Sequence, residues 1–191
     1  MKSKPKNRIL ERAKVLFYEQ GYSSTGINQI LSDSNTAKAS FYVSYPSKED
    51  LAKTVLRSYQ ADILKWMRKI YKECDSPDKF INIFSKAVKN QIKNKNSFHR
   101  GCPIALISTH FPMESGIIRD ELEKDSITWK KLISKMIKQW DKKKLLLQKG
   151  NEEKTAMMIL NSYQGALIMY NITKDDSYID ILKEQLKRII I

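Results

Sequence analysis

Apolar residues recur along most of this chain with the spacing of a single helix face. Ile9, Ala13, Leu16 and Phe17 fall at i, i+4, i+7 and i+8, which predicts a first helix over about Lys6 to Gln20. Gly21 follows it, where a helix needs a left-handed C-terminal cap. Thr25 can cap a short second helix carrying Ile27, Ile30 and Leu31, which stops near Ser34-Asn35 because Asn tolerates positive φ better than other non-glycine residues. A third helix is expected from just after Thr36 to Pro46. Ser47-Lys48-Glu49-Asp50 has the Ser-x-x-acid form of a capping box and opens a long fourth helix to about Lys72. Ser76-Pro77 places a cap and a first-turn proline at the start of a fifth. Helical periodicity continues over Pro103–Phe111, Gly116–Gln139, Glu152–Asn171 and Ser177–Ile190, with breaks at Phe111-Pro112, Lys149-Gly150-Asn151 and Lys174-Asp175-Asp176. The expectation is an all-α chain of about nine helices with no strand, internal repeat or linker.

Helices two and three are each about two turns long and are joined by roughly three residues, the format of a helix-turn-helix. At about 100° per residue, Ala37, Phe41 and Tyr45 share an inward stripe on the third helix, while Ala39, Tyr42 and Val43 point away from it. Lys38 lies on one shoulder, Ser40 and Ser44 on the other. Such a helix fits a major groove, its outer face meeting base edges and its shoulders reaching phosphates. The competing reading packs Tyr42 and Val43 against the rest of the protein, giving an all-helical interaction protein whose helix-turn-helix is purely structural.

Charge by itself gives nucleic-acid binding only modest support. The 191 residues hold 35 Lys or Arg and 21 Asp or Glu, a formal net charge of +14. Residues 1–14 carry six basic side chains against Glu11 alone, so the excess of the first module is an N-terminal arm, Lys2 to Arg8 above all. Flexible cations there would add salt-sensitive affinity for a duplex. The further basic runs, Lys86 to Arg100 and Lys130 to Lys149, have the pattern of solvated helix faces.

Specific residues weigh more than charge. Leu16-Phe17-Tyr18-Glu19-Gln20-Gly21-Tyr22-Ser23-Ser24-Thr25, Ile27-Asn28-Gln29-Ile30, Lys38-Ala39-Ser40-Phe41-Tyr42 and Tyr45-Pro46-Ser47-Lys48-Glu49-Asp50-Leu51 resemble the DNA-binding domain of the TetR family of bacterial repressors, in order and without a gap, over about residues 8–56. The resemblance implies roles at the matching positions. Thr25 would cap helix two and touch a phosphate; Lys38, Ala39, Tyr42 and Val43 would meet bases; Thr36, Ser40, Ser44 and Lys48 would bind the backbone. The chain departs from the family pattern at Asn35-Thr36, which replace the usual Gly-Val, and at Tyr45, which replaces a common Phe. Val43 and Ser44 stand where His or Tyr is frequent, which shifts readout there towards apolar contact with thymine methyls.

That resemblance divides the chain into a helix-turn-helix DNA-binding domain, residues 1–51, and an effector-binding and dimerisation domain, residues 52–191. Gly101-Cys102-Pro103-Ile104 resembles the start of the sixth helix in a branch that responds to drug-like or aromatic compounds. Trp66, Phe84, Phe98, Cys102, Phe111, Trp129 and Tyr163 are the candidate lining of an apolar effector cavity, although each is individually more typical of ordinary core. Met158, Asn161, Gly165, Leu167, Tyr170, Ile181, Leu182 and Leu186, on the last two helices, are the candidates for a homodimer contact, with Gly165 allowing close backbone approach.

Other chemistries find no support. Six glycines form no Gly-x-Gly-x-x-Gly or phosphate-loop pattern, so no nucleotide cofactor is expected. His99, Cys102 and His110 match no zinc spacing, and no catalytic motif is present, so neither a metal nor an enzyme is expected. Cys74 and Cys102 form no Cys-x-x-Cys pair, which suits a reducing compartment. With no apolar run of some eighteen residues, the expectation is a cytoplasmic protein. The sequence thus reads as a dimeric repressor of a near-palindromic operator on double-stranded DNA, released by a small apolar or aromatic effector, with no membrane partner.

Overall fold

The computed structural model describes residues 3–94, 98–111, 116–143, 145–146 and 151–191, apart from the side chain of residue 117. Lys2 of the basic arm and the expected breaks at Pro112 and Lys149-Gly150 lie outside the described residues. Among the described residues there are nine helices and no strand: α1 (Pro5–Gln20), α2 (Ile27–Asp33), α3 (Lys38–Ser44), α4 (Lys48–Glu73), α5 (Pro77–Lys93), α6 (Pro103–Ser108), α7 (Gly116–Lys142), α8 (Glu152–Thr173) and α9 (Ser177–Ile190). This is the all-α architecture that the periodicity predicts. None of these helices is long and apolar enough to cross a membrane.

Several boundaries have a visible local cause. Asn35 takes φ 48°, and the amides of Thr36 and Asn35 donate to the Leu31 and Ser32 carbonyls at 3.0 and 3.1 Å, a Schellman motif that stops α2. The start of α2 differs from expectation: Gly26 is the N-cap and makes no side-chain cap. Thr25 lies one position earlier and turns its hydroxyl back towards α1, donating to the Gly21 carbonyl at 2.7 Å. Likewise Ala37, and not Thr36, caps α3. Ser47 Oγ accepts from the Asp50 amide at 3.0 Å and donates to Asp50 Oδ2 at 2.7 Å, so the Ser47 cap that opens α4 is made, with the carboxylate bonded to the cap's hydroxyl and not to its amide. Ser76 accepts from the Lys79 amide ahead of α5. Helix α6 ends three residues before the expected Phe111. There the Ser108 and Thr109 hydroxyls donate to carbonyls three residues back, and the His110 amide closes a tight turn on Ile107.

The chain divides into two compact units, residues 1–62 with 103–125 and residues 63–102 with 126–191; α4 and α7 each run unbroken from one set to the other. In the first unit α1 packs on α2, α3 and α6, and α2 packs on α3. Its buried apolar residues include Ile9, Phe17, Ile30, Phe41, Leu51, Leu56, Tyr59 and Ile107. Tyr59 donates to the Lys14 carbonyl at 2.6 Å, joining α4 to α1, and Arg57 forms a two-pronged ion pair with Glu121 of α7 at 3.1 and 2.7 Å. In the second unit α9 packs on α8 and α5. One apolar cluster there includes Ile81, Val88, Ile137, Trp140, Ile159, Leu167, Leu182 and Leu186. Buried area of this kind, at about 25 cal/mol per Å², is what holds short helices together.

Candidate nucleic-acid interface and apolar cleft

Helix α3 is too short to persist alone, and its hold on the first unit comes from one face. Phe41 is fully buried and Tyr45 nearly so, with Tyr45 also donating to the Lys6 carbonyl at 3.2 Å. Ala37 departs from the expected inward stripe: as the helix cap it is exposed. The opposite face is left to solvent, with Val43 88% exposed, Tyr42 49% exposed, and Lys38 and Ala39 also open. Ser40 and Ser44 are half-buried on one shoulder, and Ser44 Oγ donates to the Ser40 carbonyl at 2.9 Å. Thr36 is half-buried in the turn, its hydroxyl bonded to Ser34. Thr25 has no exposed surface, and Gln20 donates to the hydroxyl it already turns towards Gly21. Its side chain is therefore out of reach of a phosphate.

The basic arm is also different from expectation. Helix α1 begins at Pro5, so Lys6 and Arg8 are helical and not a flexible tail. Arg8 donates to the Ser34 and Asn35 carbonyls at 3.0 and 2.9 Å, and Arg12 grips Asp33 at 2.9 and 2.6 Å. Both guanidinium groups thus close the C-terminal end of α2, where carbonyls lack helical partners. Lys4 is exposed.

Lys48, at the first position of α4, lies 4.2 Å from the centroid of the Tyr22 ring, and desolvation at that site lowers its pKa. On Tyr22 also packs Phe111, at 4.4 Å between centroids. Phe111 was a candidate for the effector cavity; the structure instead places it in the first unit, against the α1–α2 turn. Ser23 Oγ donates to the neighbouring His110 carbonyl at 3.1 Å. Local pattern does not reveal this anchoring of the α6 end, since its partners lie 87 positions apart.

In the second unit, Trp66, Met67, Ile70 and Tyr71 of α4, Phe80 and Phe84 of α5, and Leu132, Ile133 and Met136 of α7 line an apolar cleft. Its floor encloses about 30 Å³, room for a water molecule, within an open space of about 310 Å³. Of the expected lining, Trp66 and Phe84 are present, 5.7 Å apart, and Tyr163 packs edge-on against Phe84 at 5.4 Å. Phe98, Cys102 and Trp129 are not among the lining residues. The sequence reading missed Phe80 and Met136, which the i, i+4 repeats of α5 and α7 place beside Phe84 and Leu132. Cys74, buried nearby in the same cluster, has its thiol pushed up to about 11 by desolvation.

The dimer candidates fall into two sets. Leu167, Leu182 and Leu186 are buried in the core of their own unit, where the α8–α9 contact uses them. Their side chains are therefore not free to form an interchain surface. Met158, Asn161 and Ile181 are exposed, Tyr170 is half-buried, and Gly165 has open space where a side chain would begin. The same two helices expose Met157, Ile168 and Ile172, the last 71% open, which the sequence reading did not select.

Comparison with known proteins fits this geometry. Residues 9–55 match the family model for bacterial regulatory proteins of the tetR family, and residues 80–186 match that for the tetracyclin repressor-like C-terminal domain. The chain is 26% identical over 187 residues to the HTH-type transcriptional regulator YxaF of Bacillus subtilis (strain 168), covering 95% of this chain and 92% of that one. It is 22% identical over 177 residues to the HTH-type transcriptional repressor DhaR of Mycobacterium sp. (strain GP1), covering 92% and 86%. The solved reduced form of NemR from E. coli shares the fold with a TM-score of 0.89 at 18% identity, over 98% of this chain and 97% of that one.

Proposed function

The chain belongs to the TetR family of bacterial regulatory proteins and is a helix-turn-helix transcriptional regulator; from that premise we propose that it is a cytoplasmic, ligand-responsive repressor which binds a near-palindromic operator as a homodimer. The observation that carries the reading is the two-faced α3, with Phe41 and Tyr45 buried while Lys38, Ala39, Tyr42 and Val43 stand open. Those four residues meet base edges in the major groove, and Ser40, Ser44, Thr36 and Lys48 face the backbone. Residues 1–51 form the DNA-binding domain and residues 52–191 the effector and dimerisation domain. A two-fold dimer sets its recognition helices about 34–36 Å apart, one turn of duplex, which is why the operator is near-palindromic. Repression is supported by the relative DhaR, itself a repressor.

The cleft of the second unit is the effector site, and its apolar lining selects a small apolar or aromatic compound. Helix α4 carries both Lys48 and the cleft residues Trp66, Met67, Ile70 and Tyr71, so a ligand that shifts this helix biases DNA binding. A coupling of about 1–3 kcal/mol changes operator affinity some 5- to 150-fold and is reciprocal. The test is fluorescence anisotropy with duplexes tiled across the DNA upstream of the protein's own gene, with sedimentation of the complex. Saturable binding of one duplex by two protomers, well above random DNA, is expected; equal affinity for all duplexes overturns the reading.

A further inference from the structure

Two of the three helices that line the cleft, α4 and α7, carry charge of one sign along it, whereas α5 has Asp78 two positions before Phe80. Residues 63–72 of α4 contain Lys65, Arg68, Lys69 and Lys72, and residues 126–140 of α7 contain Lys130, Lys131, Lys135 and Lys138; neither stretch holds an Asp or Glu. Lys69 pairs with Glu73 and Lys130 with Glu153. Among the described residues, Lys65, Arg68, Lys72, Lys131, Lys135 and Lys138 belong to no ion pair and are all exposed. A solvated helix face ordinarily alternates charge, because opposite charges at i, i+4 stabilise a helix and like charges destabilise it. Here Arg68 and Lys72, and Lys131 and Lys135, are like charges at that spacing.

Two of these cations, Lys135 and Arg68, adjoin the apolar lining. The Lys135 ammonium lies 5.6 Å from the centroid of the Tyr71 ring, which is part of the lining. Lys135 also adjoins Leu132 and Met136 in the sequence of α7, and Arg68 precedes Tyr71 by one turn on α4. Inside, only the Trp66 indole and the Tyr71 hydroxyl supply polar atoms, so the interior selects by shape and dispersion. Trp66 is 37% exposed and lies against Phe84, 5.7 Å between ring centroids.

Resting on the effector reading above, we propose that the cleft takes an amphipathic organic anion, a compact aromatic or alicyclic body with a carboxylate or sulfonate head held at the Lys135–Arg68 lip. The head stays at the rim, where it keeps part of its hydration and gains the field of several uncompensated cations. The body displaces Trp66 and covers Phe80, Phe84 and Met136.

A matched pair of probes separates the two halves of this claim: 1-anilinonaphthalene-8-sulfonate, and N-phenyl-1-naphthylamine, which has the same rings without the sulfonate. With the full-length dimer, the sulfonate is expected to bind roughly fivefold tighter, the effect of an exposed charge pair, and to weaken as salt rises. Lys135→Gln with Arg68→Gln should erase that advantage and leave the neutral probe unchanged. Met136→Trp, which fills the cleft, should abolish both, with circular dichroism and thermal unfolding checking that each variant folds. Equal affinity of the two probes, or an anionic preference that survives the double Gln variant, overturns the anion claim. Binding of both probes that survives Met136→Trp overturns the cleft as the effector site and the claim with it.

Discussion

Gly21 joins α1 to the helix-turn-helix in a backbone conformation that its neighbours would not accept in any other residue. Its φ of 87° and ψ of 161° lie in a region that is essentially glycine's alone, beyond the left-handed cap expected there. Placing Ala at this position costs about 1–3 kcal/mol from the backbone alone. A second cost comes from the α6 end, because the new Cβ would lie 2.7 Å from His110 Cε1 and Nδ1. The His110 backbone is held by Ser23 and by the packing of Phe111 on Tyr22, so the exposed imidazole relieves the contact only by turning off its present rotamer. Together Gly21→Ala is expected to destabilise by about 2–4 kcal/mol, with the two contributions separable by a double-mutant cycle. Urea unfolding followed by circular dichroism, at one protein concentration, compares Gly21→Ala, His110→Ala and the double variant. His110→Ala should recover about 1 kcal/mol of the loss and leave the backbone part. A loss below about 0.5 kcal/mol in Gly21→Ala, the range of an ordinary surface change, would refute the reasoning, and so would complete recovery in the double variant.

Tyr42→Ala and Lys38→Ala should each weaken operator binding by about 1–3 kcal/mol while sparing random DNA, whereas Lys48→Ala should weaken both and reduce the salt slope by about one unit; parallel losses in all three contradict the division into reading and anchoring. Ile172→Glu, on the exposed face of α8, should yield monomers in sedimentation at micromolar concentration, and an intact dimer would place the interface elsewhere. Asp125 is buried in α7, and desolvation followed by the charge of Glu121 raises its carboxyl to about 6 from 3.8. The folded state therefore holds this proton more tightly than the unfolded one, so stability falls as pH rises from about 4 to 6 and stays reduced above. Asp125→Asn should be more stable than the parent by about 1–3 kcal/mol at pH 7.5 and nearly equal to it at pH 3.5; a difference that does not change with pH would overturn the assignment.

Local physics made much of the fold legible. Positive φ at Asn35, the Ser47 cap and the Ser76-Pro77 start each depend on residues within five positions of one another, and each forms, although Asp50 bonds the Ser47 hydroxyl and not its amide. At Thr25 the reading failed although the competing partners are just as close in sequence, because its hydroxyl turns back to Gly21 and Gln20 at the end of α1 and not forward to α2. The basic arm was misread for a longer-range reason. Six cations in fourteen residues look like a tail, but Arg8 and Arg12 have partners at the end of α2, more than twenty positions on.

Side-chain assignments on the second module were less legible because an apolar stripe states that a face is covered without stating what covers it. Leu167, Leu182 and Leu186 repeat with helical period and satisfy one another across α8 and α9 of a single chain. Ile168 and Ile172, at the next angular positions on α8, keep that period's remainder in solvent. Residues of one chemical type thus divide between core and surface according to a rotation of about 100° per position, which only the packed helices fix. Phe111 shows the same ambiguity over a longer range. An isolated aromatic after a short helix suits a cavity wall and an anchor on a neighbouring turn equally well, and the Tyr22 ring, backed by Phe17 at 5.4 Å, decides in favour of the anchor. The cationic walls of the cleft were legible as composition but not as function. Lys130 to Lys149 has the pattern of a solvated run, and only the packed helices bring one of its members, Lys135, beside the Tyr71 ring at the edge of the cleft.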